Sequence, residues 1–326
     1  MNLPYLLRLF CLSFSFFFLL NAAAGAVLRF FAEPAGNLAA TRRSAAAANF
    51  IFGLRLLPAA IGILFVFLLC VPSYLRLEPG ANPERVGPAC IIFGLLGLTT
   101  WCLSAVRAMR AVVTSIRHHS RLARDAHRLH VGEHCCDLQV IDDDKPLLAL
   151  SGLVRPRLLI SRSLLRSLTP DELAAALSHE GAHRASRDNL KRLLLVLAPD
   201  VFPFANALHT LDQHWRKFTE WAADDQAVAG DSSRALCLAS ALVRVARLGA
   251  SAPLPYLSTS LLASDRDLRA RVDRLLHRAQ VPSPSFFKAR PRLGLIAFGS
   301  AIGLSALLLA PSTFHFIHEL QELLLR

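Results

Sequence analysis

His179-Glu180-Gly181-Ala182-His183 is the stretch on which the reading of this chain turns. Residues four apart on a helix share a face, so both imidazoles can reach one metal ion from the same side. Glu180 stands beside the first histidine and can act as general base on a water activated by that metal. The pattern therefore predicts a helix, one Zn²⁺ per chain held by His179 and His183, and metal-assisted attack on a carbonyl. Thr169-Pro170-Asp171-Glu172 supplies the helix start. Threonine is the cap, proline takes the first position, and glutamate closes a capping box.

A catalytic zinc needs a third protein ligand and an open fourth position. Glu220 is the leading candidate, in Glu220-Trp221-Ala222-Ala223-Asp224-Asp225 on a helix expected from about Leu208 to Ala229 and ended by Gly230. Asp224 lies on the same face and suits the far nitrogen of a ligating histidine. Asp225, Asp212, His209 and His214 have the right chemistry as well, and spacing alone leaves the choice open. The plain alternative is a solvated acidic face pairing with Arg216 or Lys217.

Three short apolar runs precede the motif: Asp137 to Ile141, Leu147 to Leu150 and Arg157 to Ile160. Bounded by Asp, Pro and Gly, they read as strands. Leu147, Leu148, Ala149 and Leu150 are read as an edge strand on which an extended protein substrate could lie, with an ordinary edge strand as the alternative. Arg110 to His130 reads as a basic helix, and most of the chain between Leu208 and Arg278 as helical. His130-x-x-x-His134-Cys135-Cys136 invites a second metal site, but no matching ligand pair follows. Seven cysteines without regular spacing argue against a disulfide framework.

Hydrophobic residues make up 53% of the 326, and charged residues only 18%. Soluble domains carry about 25% charged residues, so several segments are expected to face lipid. Four apolar stretches are candidate spans: residues 10–28, 56–72, 87–106 and 293–310, each near the length that crosses a bilayer. The expected architecture is an α-helical membrane protein with four transmembrane helices. Its first 106 residues hold three spans, 107–292 form an α+β zincin-like metallopeptidase domain, and 311–326 are a short tail. Arginines place that domain. Arg29, Arg42 and Arg43 follow the first span, six arginines follow the third, and Lys288, Arg290 and Arg292 precede the fourth. The positive-inside rule puts these segments in the cytoplasm of a cell whose inner (plasma) membrane holds the chain. Arg55 would snorkel at its span's end. A cleaved signal peptide at the N-terminus is the competing reading, and it would invert the topology. The excess of twelve basic charges fits cytoplasmic flanks rather than direct nucleic-acid binding.

The residues His179-Glu-Gly-Ala-His-Arg-Ala-Ser-Arg-Asp-Asn-Leu190, then Glu220-x-x-Ala-Asp-x-x-Ala227, resemble the membrane gluzincin peptidases. The span arrangement is most similar to the β-lactam-sensor and antirepressor type (the Bla and Mec regulators), with a motif shared by HtpX and CAAX-prenyl-protease peptidases. Asp137-Leu-Gln-Val-Ile, Pro156-Arg-Leu-Leu-Ile-Ser161 and Asp171-Glu-Leu-Ala-Ala carry the likeness upstream. The resemblance selects Glu220 as third ligand and implies a cytoplasmic protease. It implies a regulatory endopeptidase acting on a transcriptional repressor or a membrane protein; quality control and a non-catalytic scaffold are the alternatives. Sensor proteins of that type carry a penicillin-binding domain after the last span. Only His315 to Arg326 follow here, so antibiotic sensing by that route is not expected.

Overall fold

The computed structural model describes residues 4–78, 86–124, 126–129, 138–142, 146–153, 156–201, 208–248, 257, 259–260, 265–280 and 311–325. The expected fourth span at 293–310 and the His130 to Cys136 cluster lie outside the described residues.

Three long apolar helices come first. They are α1 (Tyr5–Ala40), α2 (Ser44–Phe65), which runs on through one π-helical turn at Val66–Cys70 into α3 (Val71–Leu77), and α4 (Pro88–Arg124). Each is long and apolar enough to cross a membrane. Each also outruns the span expected from hydropathy. At 1.5 Å per residue α1 is about 54 Å long, against a hydrocarbon core of about 30 Å. Hydropathy marks only the most apolar part of a helix, and the extra turns of α1 bury one face on protein, through Ala32, Ala35 and Ala39. α1 packs along both α2 and α4. At the α4 contact the backbones come close: a Cβ on Gly94 would lie 2.9 Å from Cys11 Sγ, and one on Gly97 would meet the Phe14 carbonyl oxygen. Small residues of this kind let membrane helices approach.

The basic loop expected between the first two spans shrinks to Thr41–Arg43, and Arg29 is helical. Arg55 does not snorkel. It is buried, its Nε donates to Asp212 at 3.0 Å, and it lies 4.0 Å from Asp200. A carboxylate partner inside the protein is better than a reach toward lipid headgroups, because the pair leaves neither charge unpaired.

The second body is α/β. Strands β1 (Ala126–Leu129), β2 (Leu138–Ile141), β3 (Leu148–Ser151), β4 (Arg157–Ser161) and β5 (Thr259–Ser260) form one sheet in the order β1-β2-β4-β3-β5. β2 and β4 are parallel and the other pairs antiparallel. The three strands read from sequence are present. β1 replaces the last turns of the helix expected to reach His130, because pairing of Ala126–Leu129 with Leu138–Ile141 takes over from α4. Successive side chains point to opposite faces with period two, as a pleated strand requires, and both faces are covered. Leu148, Leu150, Leu158 and Ile160 enter the main core, while Leu147, Ala149 and Leu159 pack on the opposite face.

Helices α5 (Arg162–Ser167), α6 (Pro170–Ala185), α7 (Asp188–Leu197), α8 (His209–Val228), α9 (Ser232–Arg247) and α10 (Asp265–Gln280) complete the body. The capping box of α6 is formed on both sides, Thr169 Oγ1 accepting from the Glu172 N–H and Glu172 accepting from the Thr169 N–H. α8 ends with Ala229 in the left-handed region, one residue earlier than expected, and Gly230 follows with φ +84°. A second core joins this body to the membrane helices. Ala32, Ala35 and Ala39 of α1 and Ala47, Ala48 and Ile51 of α2 meet Leu211, Trp215 and Phe218 of α8. The tail forms α11 (Pro311–Leu325), docked near the π-helical turn, where Gln321 Nε2 donates to the Cys70 carbonyl at 2.8 Å.

Candidate metal centre

Helix α6 brings His179 and His183 onto one buried face, and α8 brings Glu220 against them. Among the described residues these three form a group whose donor atoms all lie within 4.8 Å of one another. The two Nε2 atoms are 3.2 Å apart, and they lie 3.6 and 3.7 Å from the Glu220 carboxylate oxygens. Two Zn–N bonds of about 2.05 Å at a tetrahedral angle place their nitrogens about 3.3 Å apart. The donors therefore converge with the spacing of a single small cation, and the set of two imidazoles and one carboxylate is a borderline metal's chemistry.

The other ring nitrogens explain why Nε2 faces inward. His179 Nδ1 lies 3.0 Å from Asp224 Oδ1, and His183 Nδ1 lies 2.7 Å from Asp188 Oδ2. A carboxylate on Nδ1 keeps the proton there and leaves the Nε2 lone pair for a metal. Asp224 is where the sequence placed it. Asp188 was not singled out, because it sits five residues past His183, beyond any helical period. It reaches the histidine only because Ser186 and Arg187 break the helix, Arg187 with φ +53°. That conformation is uncommon outside Gly, Asn and Asp.

A second residue missed from sequence is Arg271 of α10. Its Nε and Nη2 donate to Asp224 at 2.9 and 2.7 Å, and its Nη1 lies 3.1 Å from Glu220 Oε2. It is 3% exposed, so both pairs are desolvated. The signal was present in the pattern. Leu268, Val272 and Leu275 mark the inward stripe of α10, and position 271 falls on it. A charge on an apolar stripe needs a buried partner.

Electrostatics follow from this packing. Burial would raise the Asp224 carboxyl, but Arg271 and His179 bring it down to about 2. Burial would likewise raise Glu220, yet His183 and Arg271 hold it well below the usual carboxylate range. Burial would lower His183, and Glu220, Asp188 and Glu180 outweigh that and push it up to about 10. The cluster is built to hold positive charge. Glu180 is fully buried and close enough to act on both His183 and Arg271.

The other candidate ligands are engaged elsewhere. Asp212 pairs with Arg55, Asp225 with Arg274 and Arg278, His209 bonds Gln213, and His214 lies 3.4 Å from Glu33. The expected edge strand is also different. β3 lies between β4 and β5, with Ala149 opposite Ser260 and Leu150 opposite Thr259. Leu147, Leu148, Ala149 and Leu150 are all buried. The chain's own Thr259–Ser260 takes the position read as open, and a two-residue strand so remote leaves no periodic signature in the sequence. Asn189 ties the end of β3 to α7, its Nδ2 donating to the Leu150 and Gly152 carbonyls at 3.2 and 2.9 Å.

Three helices apolar enough to cross a membrane, and a two-histidine, one-glutamate group buried between α6 and α8, are together the features of a membrane-associated metallopeptidase. The chain belongs to the BlaR1 peptidase M56 family, whose sequence model matches residues 89–275, from the start of α4 to within α10. No curated protein matches the chain.

Proposed function

We propose that the protein is a zinc-dependent endopeptidase that cleaves a protein substrate at the cytoplasmic face of the inner membrane, in regulatory signalling. The observation that carries this reading is the convergence of His179, His183 and Glu220 with Glu180 buried beside them. His179, His183 and Glu220 would hold the zinc, which when bound polarises a carbonyl and makes water acidic near neutral pH.

The residues of the chain supply the rest. Glu180 takes the proton of the attacking water on its carboxylate and passes it to the leaving amine. Asp224 and Asp188 keep the Nδ1 protons of the two histidines in place and so fix their orientation. Arg271 holds Glu220 and Asp224 in register across α8. An extended substrate would pair with β3 only by displacing Thr259–Ser260; otherwise it meets the outer edge of β5. The arginines after the first and third spans support the cytoplasmic placement, and a reporter fused near Ser251 that is active only in the periplasm would refute it.

Glu180→Gln tests the mechanism. It keeps size and removes the base, so bound zinc should be retained while cleavage falls by about 10² to 10⁴. Comparison of the proteins in cells carrying wild type and this variant identifies the substrate. A repressor accumulating intact supports signalling, and a broad set of damaged membrane proteins supports quality control. Normal cleavage by Glu180→Gln would show that the hydrolytic assignment is wrong.

A further inference from the structure

Where the α1–α2 hairpin meets α8 and α10 there is a cavity of about 240 Å³ lined by Ala40, Arg42, Arg43, Ser44, Phe218, Trp221, Arg274 and Arg278. Of the eight described residues that line it, four are arginines and none is acidic. The carboxylate built into this cluster is Asp225, which lies 2.6 Å from Arg274 and 2.9 Å from Arg278 and accepts from the Ser44 hydroxyl at 2.8 Å. Among the described residues, four arginines and one carboxylate therefore stand within a few side chains of one another, Arg42 resting over the Phe50 ring. Burial makes the Arg278 guanidinium less basic than usual, while Asp225 opposes that shift more strongly than Arg274 adds to it.

Two further features add positive potential. The first turn of α2 contains no acidic residue, and Arg43 offers it no side-chain cap, so the positive end of that helix adds to the guanidinium charges, with Asp225 on the Ser44 hydroxyl as the carboxylate beside it. Lys217 stands 4.7 Å from the Trp221 ring centre, and Arg274 stands 4.9 Å from it. The rigid indole thus holds two cations on its surface.

We propose that this cavity is a binding site for a compact phosphate-class anion, inorganic phosphate or pyrophosphate, gripped by Arg42, Arg43, Arg274 and Arg278. The volume decides the size class. It falls below the roughly 300–1,000 Å³ typical of pockets for drug-sized ligands. Planar guanidinium groups suit phosphate oxygens better than ammonium groups do, through paired N–H donors.

Placement decides the source. Ser44 lies eleven residues before Arg55 on α2, a rise of about 16 Å. Arg55 is engaged inside the protein by Asp212 and Asp200, and the span expected from hydropathy, residues 56–72, begins beyond it. The headgroup layer is only about 5–8 Å deep on each side. The phosphate of an ordinary phospholipid does not reach the cavity, so the anion comes from solution. Bound there, it ties the α1–α2 loop to α10, the helix that carries Arg271 to the metal centre.

The test is calorimetric titration of the full-length, detergent-solubilised protein with phosphate and with pyrophosphate, ionic strength held constant with NaCl. This readout is independent of peptidase activity, so its outcome stands apart from the catalytic assignment. One saturable site per chain is expected. Binding should weaken by about tenfold or more in R42Q/R43Q, which alters only exposed loop residues, and in R278Q. Unchanged far-ultraviolet circular dichroism identifies variants that remain folded. Heats equal to those of NaCl, or equal in wild type and variants, mean that the chain's general positive charge is merely being screened, and they overturn the site. A second arm reconstitutes the protein in bilayers with and without phosphatidic acid. Phosphate affinity equal in both supports a soluble ligand; displacement of phosphate by phosphatidic acid assigns the site to lipid and overturns the proposal.

Discussion

Replacing Arg271 by methionine removes the charge that α10 inserts between Glu220 and Asp224 while keeping much of the side-chain volume. The arginine makes contacts of 2.7, 2.9 and 3.1 Å to the two carboxylates, and its side chain is 4% exposed. Removing one partner of a buried ion pair costs about 3–5 kcal/mol, because the remaining charge is stranded. At about 2–4 °C per kcal/mol for a domain of this size, the midpoint of unfolding should fall by about 6–20 °C in protein stripped of metal with a chelator. With metal restored the loss should shrink to about half. Glu220 then has a cation against it again, and only Asp224 lacks its guanidinium. Arg271→Lys should lie between, since it keeps the charge but loses the two-pronged contact. Thermal unfolding of wild type and both variants, solubilised, with and without metal, reads all six states. If the stripped methionine variant unfolds within about 2 °C of wild type, Arg271 is not the counter-charge of this site.

Asp188→Ala and Asp224→Ala should each weaken metal affinity by about 10- to 100-fold, measured by competition with a chelating dye; equal affinity in both would refute the account of Nδ1 orientation. Glu172 is held below the usual carboxylate range because the Ser240 hydroxyl, the Thr169 N–H and Arg244 outweigh its burial. Its stabilising contribution is therefore present above the unfolded value of about 4.3 and lost as pH falls through the lower folded value. Glu172→Gln should be less stable than wild type at pH 7, and the gap should close as pH drops below about 4 in denaturation curves. A Cβ at Gly181 would meet nothing within 4 Å, so Gly181→Ala should stabilise α6 by up to about 1 kcal/mol with metal content unchanged; a loss of stability would show that the space beside the motif is not open.

The two histidines, the adjacent glutamate and the capping box were legible in the sequence because each depends on residues three or four apart in one helix. Hydrogen bonding along the helix sets those relations wherever the helix packs. The inner three strands were legible for the same reason, their apolar runs being short and bounded by turn residues. The choice of Glu220 over Asp225, Asp212, His209 and His214 rested on resemblance, and only the packing of α8 against α1, α2 and α10 shows that Asp225, Asp212 and His214 are engaged elsewhere.

What tertiary structure alone decided lies between elements distant in the chain. Arg271 meets Glu220 and Asp224 across about fifty residues, and Thr259–Ser260 covers β3 from over a hundred residues away. α1 and α2 run on past their lipid-facing turns to pack on α8. No local period encodes such pairings. They arise because an apolar stripe must find a partner surface and a buried charge must find its opposite, and those partners exist only once the chain has folded.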